Sequence, residues 1–159
     1  MYAIITLNEV EKSVSMNNIN YRISVKIRKE INVVLSSLFD YEQLKMYQEP
    51  PLIMYHQMRG KKLENGSVVR LFYNYNGIKI YMDEYIIENE LPNHITLLYT
   101  IGDIKNRMKY SFTKVDENHT LWTNEVIFEF PSGFEYNKLY YMKQTEEDMK
   151  AFKEYLEHD

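Results

Sequence analysis

The chain has 159 residues, 45% hydrophobic and 26% charged, enough for one domain with its own core. It contains no Cys, which excludes disulfides, a thiolate nucleophile and thiolate metal ligands. A net charge of −4 speaks against a nucleic-acid partner held by a basic surface, and no apolar run reaches the roughly 18 residues of a spanning helix, so no integral membrane association is expected.

Residues 1–15 read as an N-terminal extension, with Tyr2–Leu7 as an alternative extra strand, and residues 16–159 as a single domain. The opening MYAIITLNEV lacks a basic segment and a cleavage site, so no signal peptide and a cytoplasmic location are expected. Tyr21, Ile23, Val25 and Ile27 alternate with polar residues, a half-buried strand. Helical spacing follows at Ile31, Val34, Leu35 and Leu38, and a second short helical piece, Tyr41–Tyr47, stops before Pro50-Pro51. From Leu52 to Phe130 the pattern is strands and turns. Met142, Thr145, Met149, Phe152 and Leu156 then form one stripe along a long C-terminal helix. Strand, two short helices, six strands and a long helix predict an α+β fold, with a helix on one face of an antiparallel sheet.

Turn residues predict registers. Asn76-Gly77 is a type I′ hairpin signal that pairs Tyr73 with Ile80 and Val69 with Glu84. Asn65-Gly66, read the same way, places His56 opposite Tyr75 and Met58 opposite Tyr73. Gly102-Asp103 sets Tyr99 against Asn106 and Ile95 against Tyr110. A three-residue loop, Asp116-Glu117-Asn118, sets Phe112 against Trp122 and Tyr110 against Asn124. A one-residue slip would exchange faces, and the charge pairs Lys109–Glu125 and Lys105–Glu129 favour the chosen loop. One mostly apolar face results, and the helix stripe must cover it.

The first strand with RKEINVVLSSLFDYEQL, the segment ELPNHITLLYTIG, the strand HTLWTNEVIFEF and the closing TEEDMKAFKEYLE together resemble the SRPBCC superfamily. This START-like group includes birch-pollen allergens, polyketide cyclase/dehydrase proteins and lipid-transfer domains. The resemblance implies a helix-grip fold, a curved antiparallel sheet of about seven strands around the C-terminal helix, with a cavity between them. It also implies binding of a hydrophobic small molecule, or in a minority of members cyclisation, dehydration or hydration.

The residues carry no G-x-S-x-G, P-loop or G-x-G-x-x-G, and His56, His94, His119 and His158 show no metal spacing, so no metal or other cofactor is expected. Glu84 is the one carboxylate on the expected inner face. A desolvated carboxylate has a raised pKa and can serve as general acid or base. His56 is the second candidate. Tyr73, Tyr75, Tyr99, Tyr110 and Asn124 supply polar groups to orient a ligand in an apolar pocket. Met58, Trp122, Met142 and Met149 are candidate walls, methionine being adaptable to irregular ligands. A dry pocket of roughly 300 Å³ would cost about 7 kcal/mol, so the cavity is expected to be wet or occupied.

The leading expectation is therefore a protein that binds or transports a lipid-like or aromatic molecule. A cyclase/dehydratase using Glu84 or His56 is the second. The third is an interaction module of the chaperone-activator type, because Phe72, Tyr81, Tyr85 and Ile87 fall on the outer face; the same patch would suit a homodimer contact.

Overall fold

A computed structural model describes residues 17–158, so the expected N-terminal extension lies outside the described residues. The elements are β1 (Asn17–Ile27), α1 (Ile31–Leu38), α2 (Tyr41–Tyr47), β2 (Leu52–Arg59), β3 (Val68–Tyr75), β4 (Ile78–Glu90), β5 (His94–Ile101), β6 (Ile104–Asp116), β7 (His119–Phe130) and α3 (Lys138–Glu157). All seven strands form one antiparallel sheet in the order β1-β7-β6-β5-β4-β3-β2. β1 and β2 lie on opposite edges, so the two short helices carry the chain across the sheet. This is the α+β arrangement that the element order predicts, in the helix-grip form that the family resemblance implies.

Local chemistry explains the elements. Asp40 caps α2, accepting from the Glu42 amide at 3.0 Å, and Asn137 caps α3, accepting from the Tyr140 amide at 3.2 Å. Asn76 and Gly77 have φ of 51° and 81°, the two positive values a type I′ turn requires. The β3–β4, β5–β6 and β6–β7 registers follow the turn residues as predicted, including Val69 opposite Glu84 and Tyr110 opposite Asn124. At β6–β7 the expected three-residue loop is instead a two-residue turn, Glu117-Asn118, with a bulge after Lys114. The bulge absorbs the extra residue, so the register beyond it is unchanged.

The β2–β3 register differs from the prediction. His56 lies opposite Arg70 and not Tyr75, a displacement of five residues along β3. An odd displacement exchanges faces. His56 therefore shares the outer face with Arg70 and is exposed, while Met58 sits in a bulge between Gln57 and Arg59 and is 47% exposed. Neither lines the interior. The physical reason lies in the connection. Asn65 and Gly66 do not form a two-residue hairpin, because both are engaged by β4. The Gly66 amide donates to Ile86 O at 2.7 Å, and the Asn89 amide donates to Asn65 Oδ1 at 2.8 Å. Gly60 then makes the sharp bend, at φ 70°, and a Cβ there would stand 3.2 Å from Ser67 Cα.

Inside, Thr145, Met149 and Phe152 of α3 are buried, flanked by half-buried Met142 and Leu156. Met149 and Phe152 join Ile86, Ile95, Leu97, Phe112 and Trp122 in the main core. Full burial of each such side chain contributes about 1.5–3 kcal/mol. A second cluster, around Ile19, Tyr21, Val126 and Phe130, takes the N-terminal end of α3. A third, Tyr41, Leu52, Val69, Leu71 and Tyr73, packs α2 on the β2–β3 side. The helix backbone makes sustained close approach to β1, α1 and α2. It thus leans on one sheet edge and on the short helices, standing off from the middle of the sheet. No helix among the described residues is long and apolar enough to cross a membrane.

Candidate functional site

Between α3 and the middle strands, alternation along five neighbouring strands brings polar groups together on one face. Glu84 of β4 stands opposite Tyr99 of β5, and Tyr110 of β6 stands opposite Asn124 of β7. Tyr73 reaches the same face from β3. Helix α2 adds Tyr41 and Tyr47, and its C-cap, Gln48, lies beside Tyr73.

Glu84 is 7% exposed. Tyr41 donates to its Oε1, and the Tyr99 hydroxyl donates to Oε2 at 2.7 Å. Burial pushes the carboxyl above the usual carboxylate range, opposed by the two tyrosines and by the charge of Lys62. The tyrosines respond in kind: burial first, then the Glu84 charge, raises Tyr41, Tyr73, Tyr99 and Tyr110 above the ordinary phenol value. Both Glu84 oxygens are thus held by hydroxyls, in an environment that favours the neutral acid.

A second carboxyl was not anticipated. Asp148 precedes Met149, three residues after Thr145 and four before Phe152, so it borders the buried stripe of α3. It keeps solvent contact, yet desolvation pushes its pKa up to about 6. Its charge acts on Tyr21, Tyr47, Tyr73 and Tyr110, which come from four different elements. Asp148 is exposed on the flank of the α3 stripe that lies toward these four tyrosines. Gln144 Nε2 donates to it at 3.3 Å. Beside it, Tyr21 OH and Thr145 Oγ1 share a hydrogen bond of 2.6 Å that ties β1 to α3, and burial pushes Tyr21 up to about 12.

Several buried polar atoms have no protein partner: Tyr73 OH, Gln48 Oε1, Asn106 Oδ1, Trp122 Nε1 and Asn124 Oδ1. Asn124 is 1% exposed, and its amide nitrogen reaches only Met108 Sδ, at 3.5 Å. Each such group costs about 1–3 kcal/mol if left dry. Four of these atoms, on Tyr73, Asn106, Trp122 and Asn124, lie on the inner face of the sheet, where water or a polar group of a ligand would satisfy them.

The structure therefore brings together Glu84, Tyr73, Tyr99, Tyr110, Trp122 and Asn124 among the predicted residues. Tyr75 shares their face but is 50% exposed at the hairpin end. Met142 packs into the Tyr21 cluster, and Met149 is 1% exposed in the core, against the Trp122 side. His56 and Met58 are excluded by register, so no Glu84–His56 pair exists. Sequence reasoning missed Tyr41, Asp148, Gln48 and Asn106. Helical spacing from Thr145 and Phe152 carried the signal for Asp148. The registers carried it for Asn106, which stands opposite Tyr99.

An open groove of about 680 Å³ lies apart from this chemistry, between β1 and α3, lined by Val25, Lys26, Arg28, Lys150 and Lys153 among others. Three of its cations are already paired, Lys150 with Glu146 at 2.7 Å, and Lys153 and Arg28 with Glu157 at 2.6 and 3.5 Å. It is a solvated flank, and the orphaned polar atoms direct attention to the interior instead.

No protein-family model and no curated protein matches the sequence. Solved structures do match in fold. Ara h 8.0201 superposes with a TM-score of 0.75 at 12% identity, covering 90% of this chain and 100% of its own. A START superfamily protein from Mycobacterium smegmatis gives a TM-score of 0.63 at 14% identity, covering 87% and 94%. StfQ, the di-domain ARO/CYC protein of the steffimycin biosynthetic pathway, gives 0.67 at 8% identity, covering 86% of this chain and 44% of that one. The protein has the SRPBCC-type, START-like fold.

Proposed function

We propose that the protein binds an apolar or aromatic small molecule bearing polar groups, in the hollow between the sheet and α3. The observation that carries this reading is the set of unpartnered buried atoms, Tyr73 OH, Trp122 Nε1 and Asn124 Oδ1, among apolar neighbours. Convergent polar groups on apolar walls are the usual composition of a small-molecule site. The fold supports the reading, because one neighbour is a START superfamily protein and another an ARO/CYC protein of a biosynthetic pathway.

Native mass spectrometry and a thermal-shift screen of lipids and polycyclic aromatics test it. A ligand at 100 times its Kd should stabilise the fold by about 2.7 kcal/mol. Neither a co-purified ligand nor any shift across the panel would defeat the proposal. Chemical turnover of a panel member that disappears in Glu84→Gln would instead favour a cyclase/dehydratase, with the buried Glu84 carboxyl moving the proton.

A further inference from the structure

The charge and donor balance of the hollow selects among ligands. Inward-facing residues run from Val69 to Tyr75 on β3, Ile80 to Ile86 on β4 and Ile95 to Ile101 on β5. They continue from Ile104 to Phe112 on β6 and from Trp122 to Phe130 on β7. None of these inward residues is Lys, Arg or His. The ionisable groups are carboxyls, Glu84 on the sheet and Asp148 on α3. Glu84 already has two tyrosine donors and the nearby Lys62 charge. Asp148 has a single hydrogen bond, from Gln144, and no ion-pair partner among the described residues. Its charge is felt from Tyr21 on β1 to Tyr110 on β6.

The orphaned atoms point the same way. Gln48 Oε1, Asn106 Oδ1 and Asn124 Oδ1 are acceptors, Tyr73 OH can accept, and only Trp122 Nε1 is solely a donor. Asn124 and Tyr73 are 1% and 5% exposed, so bulk water does not satisfy them. Unfilled acceptors need a molecule that donates. Tyrosine rings add the negative faces that attract a cation.

Resting on the ligand-binding reading, we infer that the hollow takes an apolar or aromatic molecule carrying a protonated amine, with Asp148 as its counter-ion. The amine N–H groups donate to the carboxylate and to the vacant amide oxygens. An anionic ligand of the same shape meets the Asp148 carboxylate, has Lys62 on the Glu84 side as its one nearby cation, and binds more weakly than the amine.

The test uses three matched probes, phenylbutylamine, phenylbutanol and phenylbutanoate. Calorimetry and the fluorescence of Trp122, the single Trp of the chain, read their binding near neutral pH. The amine should bind at least about ten-fold more tightly than the carboxylate, the discrimination supplied by attraction to one carboxylate in place of repulsion from it. Asp148→Asn should cut that preference at least about three-fold and leave phenylbutanol unaffected, while Asp148→Glu retains it. Circular dichroism establishes that both variants fold, and Asp148→Ser replaces the amide variant if it does not. Equal affinities, a preference for the carboxylate, or an amine preference untouched in Asp148→Asn would overturn the inference while the ligand-binding reading stands. The same holds if all three probes fail but lipids or polycyclic aromatics bind. If nothing binds in either screen, both readings fall.

Discussion

Two carboxyls dominate the chemistry at the scale of single residues. Asp148 has its folded pKa raised to about 6 from 3.8 by desolvation. Between those values the folded chain keeps a proton that the unfolded chain has lost. Stability therefore falls as pH rises from about 4 to 6, and the loss is complete above that window. Asp148→Asn should remove this dependence and stabilise the free protein at neutral pH by about 1 kcal/mol, discounted for the solvent contact of the carboxyl. Thermal melts across that pH window check it; a flat profile in the parent protein would show that Asp148 is not desolvated. Glu84 is raised in the same direction, so its ionised form also costs stability as pH rises. Its removal differs, because Tyr41 and Tyr99 both depend on it. Glu84→Leu strands two hydroxyls and should cost about 2–3 kcal/mol, whereas Glu84→Gln keeps an acceptor and should cost less. Equal denaturation midpoints for the two variants would mean that the hydroxyls find other partners.

Among elements, the strands whose ends are set by their own turn were legible, and the one whose connection is held by a neighbour was not. Asn76-Gly77 adopts both positive φ values locally, so Tyr73–Ile80 and Val69–Glu84 follow without reference to the rest of the fold. Asn65-Gly66 carries the same sequence signal. Its amide and side-chain groups bond to Ile86 and Asn89 instead, and β2 shifts to put His56 opposite Arg70. The outer patch is altered too, since Arg70 lies 4.1 Å from the Tyr81 ring centroid and Lys79 lies 4.8 Å from that of Phe72. Cations cover part of the aromatic surface that a protein-interaction reading needs. The absence of native Cys makes the register easy to check by thiol labelling. His56→Cys should react as fast as an exposed thiol, and Asn124→Cys should react far more slowly and be protected further by bound ligand. Comparable rates at the two positions would contradict the register.

For the whole molecule, the important quantity is the polarity of an interior that the fold leaves incompletely paired. Helix α3 leans on β1, α1 and α2, and the Tyr21–Thr145 bond holds it to the sheet edge. The middle strands keep Asn106 Oδ1, Asn124 Oδ1 and Tyr73 OH without protein partners. A fold selected only for stability would replace such groups with apolar ones. Asn124→Leu should therefore stabilise the free protein by about 1 kcal/mol and diminish the thermal shift produced by ligand. A destabilised variant with an unchanged ligand response would show that Asn124 is a structural residue with an ordered water.

The sequence by itself determined the order of elements, the β3–β4, β5–β6 and β6–β7 registers, the α3 stripe and the inward position of Glu84. These depend on periods of 2 and 3.6 and on turns that close over a few residues, so neighbouring side chains contain the information. Tertiary structure alone decided the face of His56, the two tyrosines on Glu84, the water-facing Asp148 and the unpaired amides. Those properties depend on what a distant segment places beside each group: Ile86 and Asn89 beside Gly66 and Asn65, α2 beside β4, and α3 over the sheet. Desolvation and hydrogen-bond satisfaction are set by the whole surroundings of an atom, and no local pattern of residues encodes them.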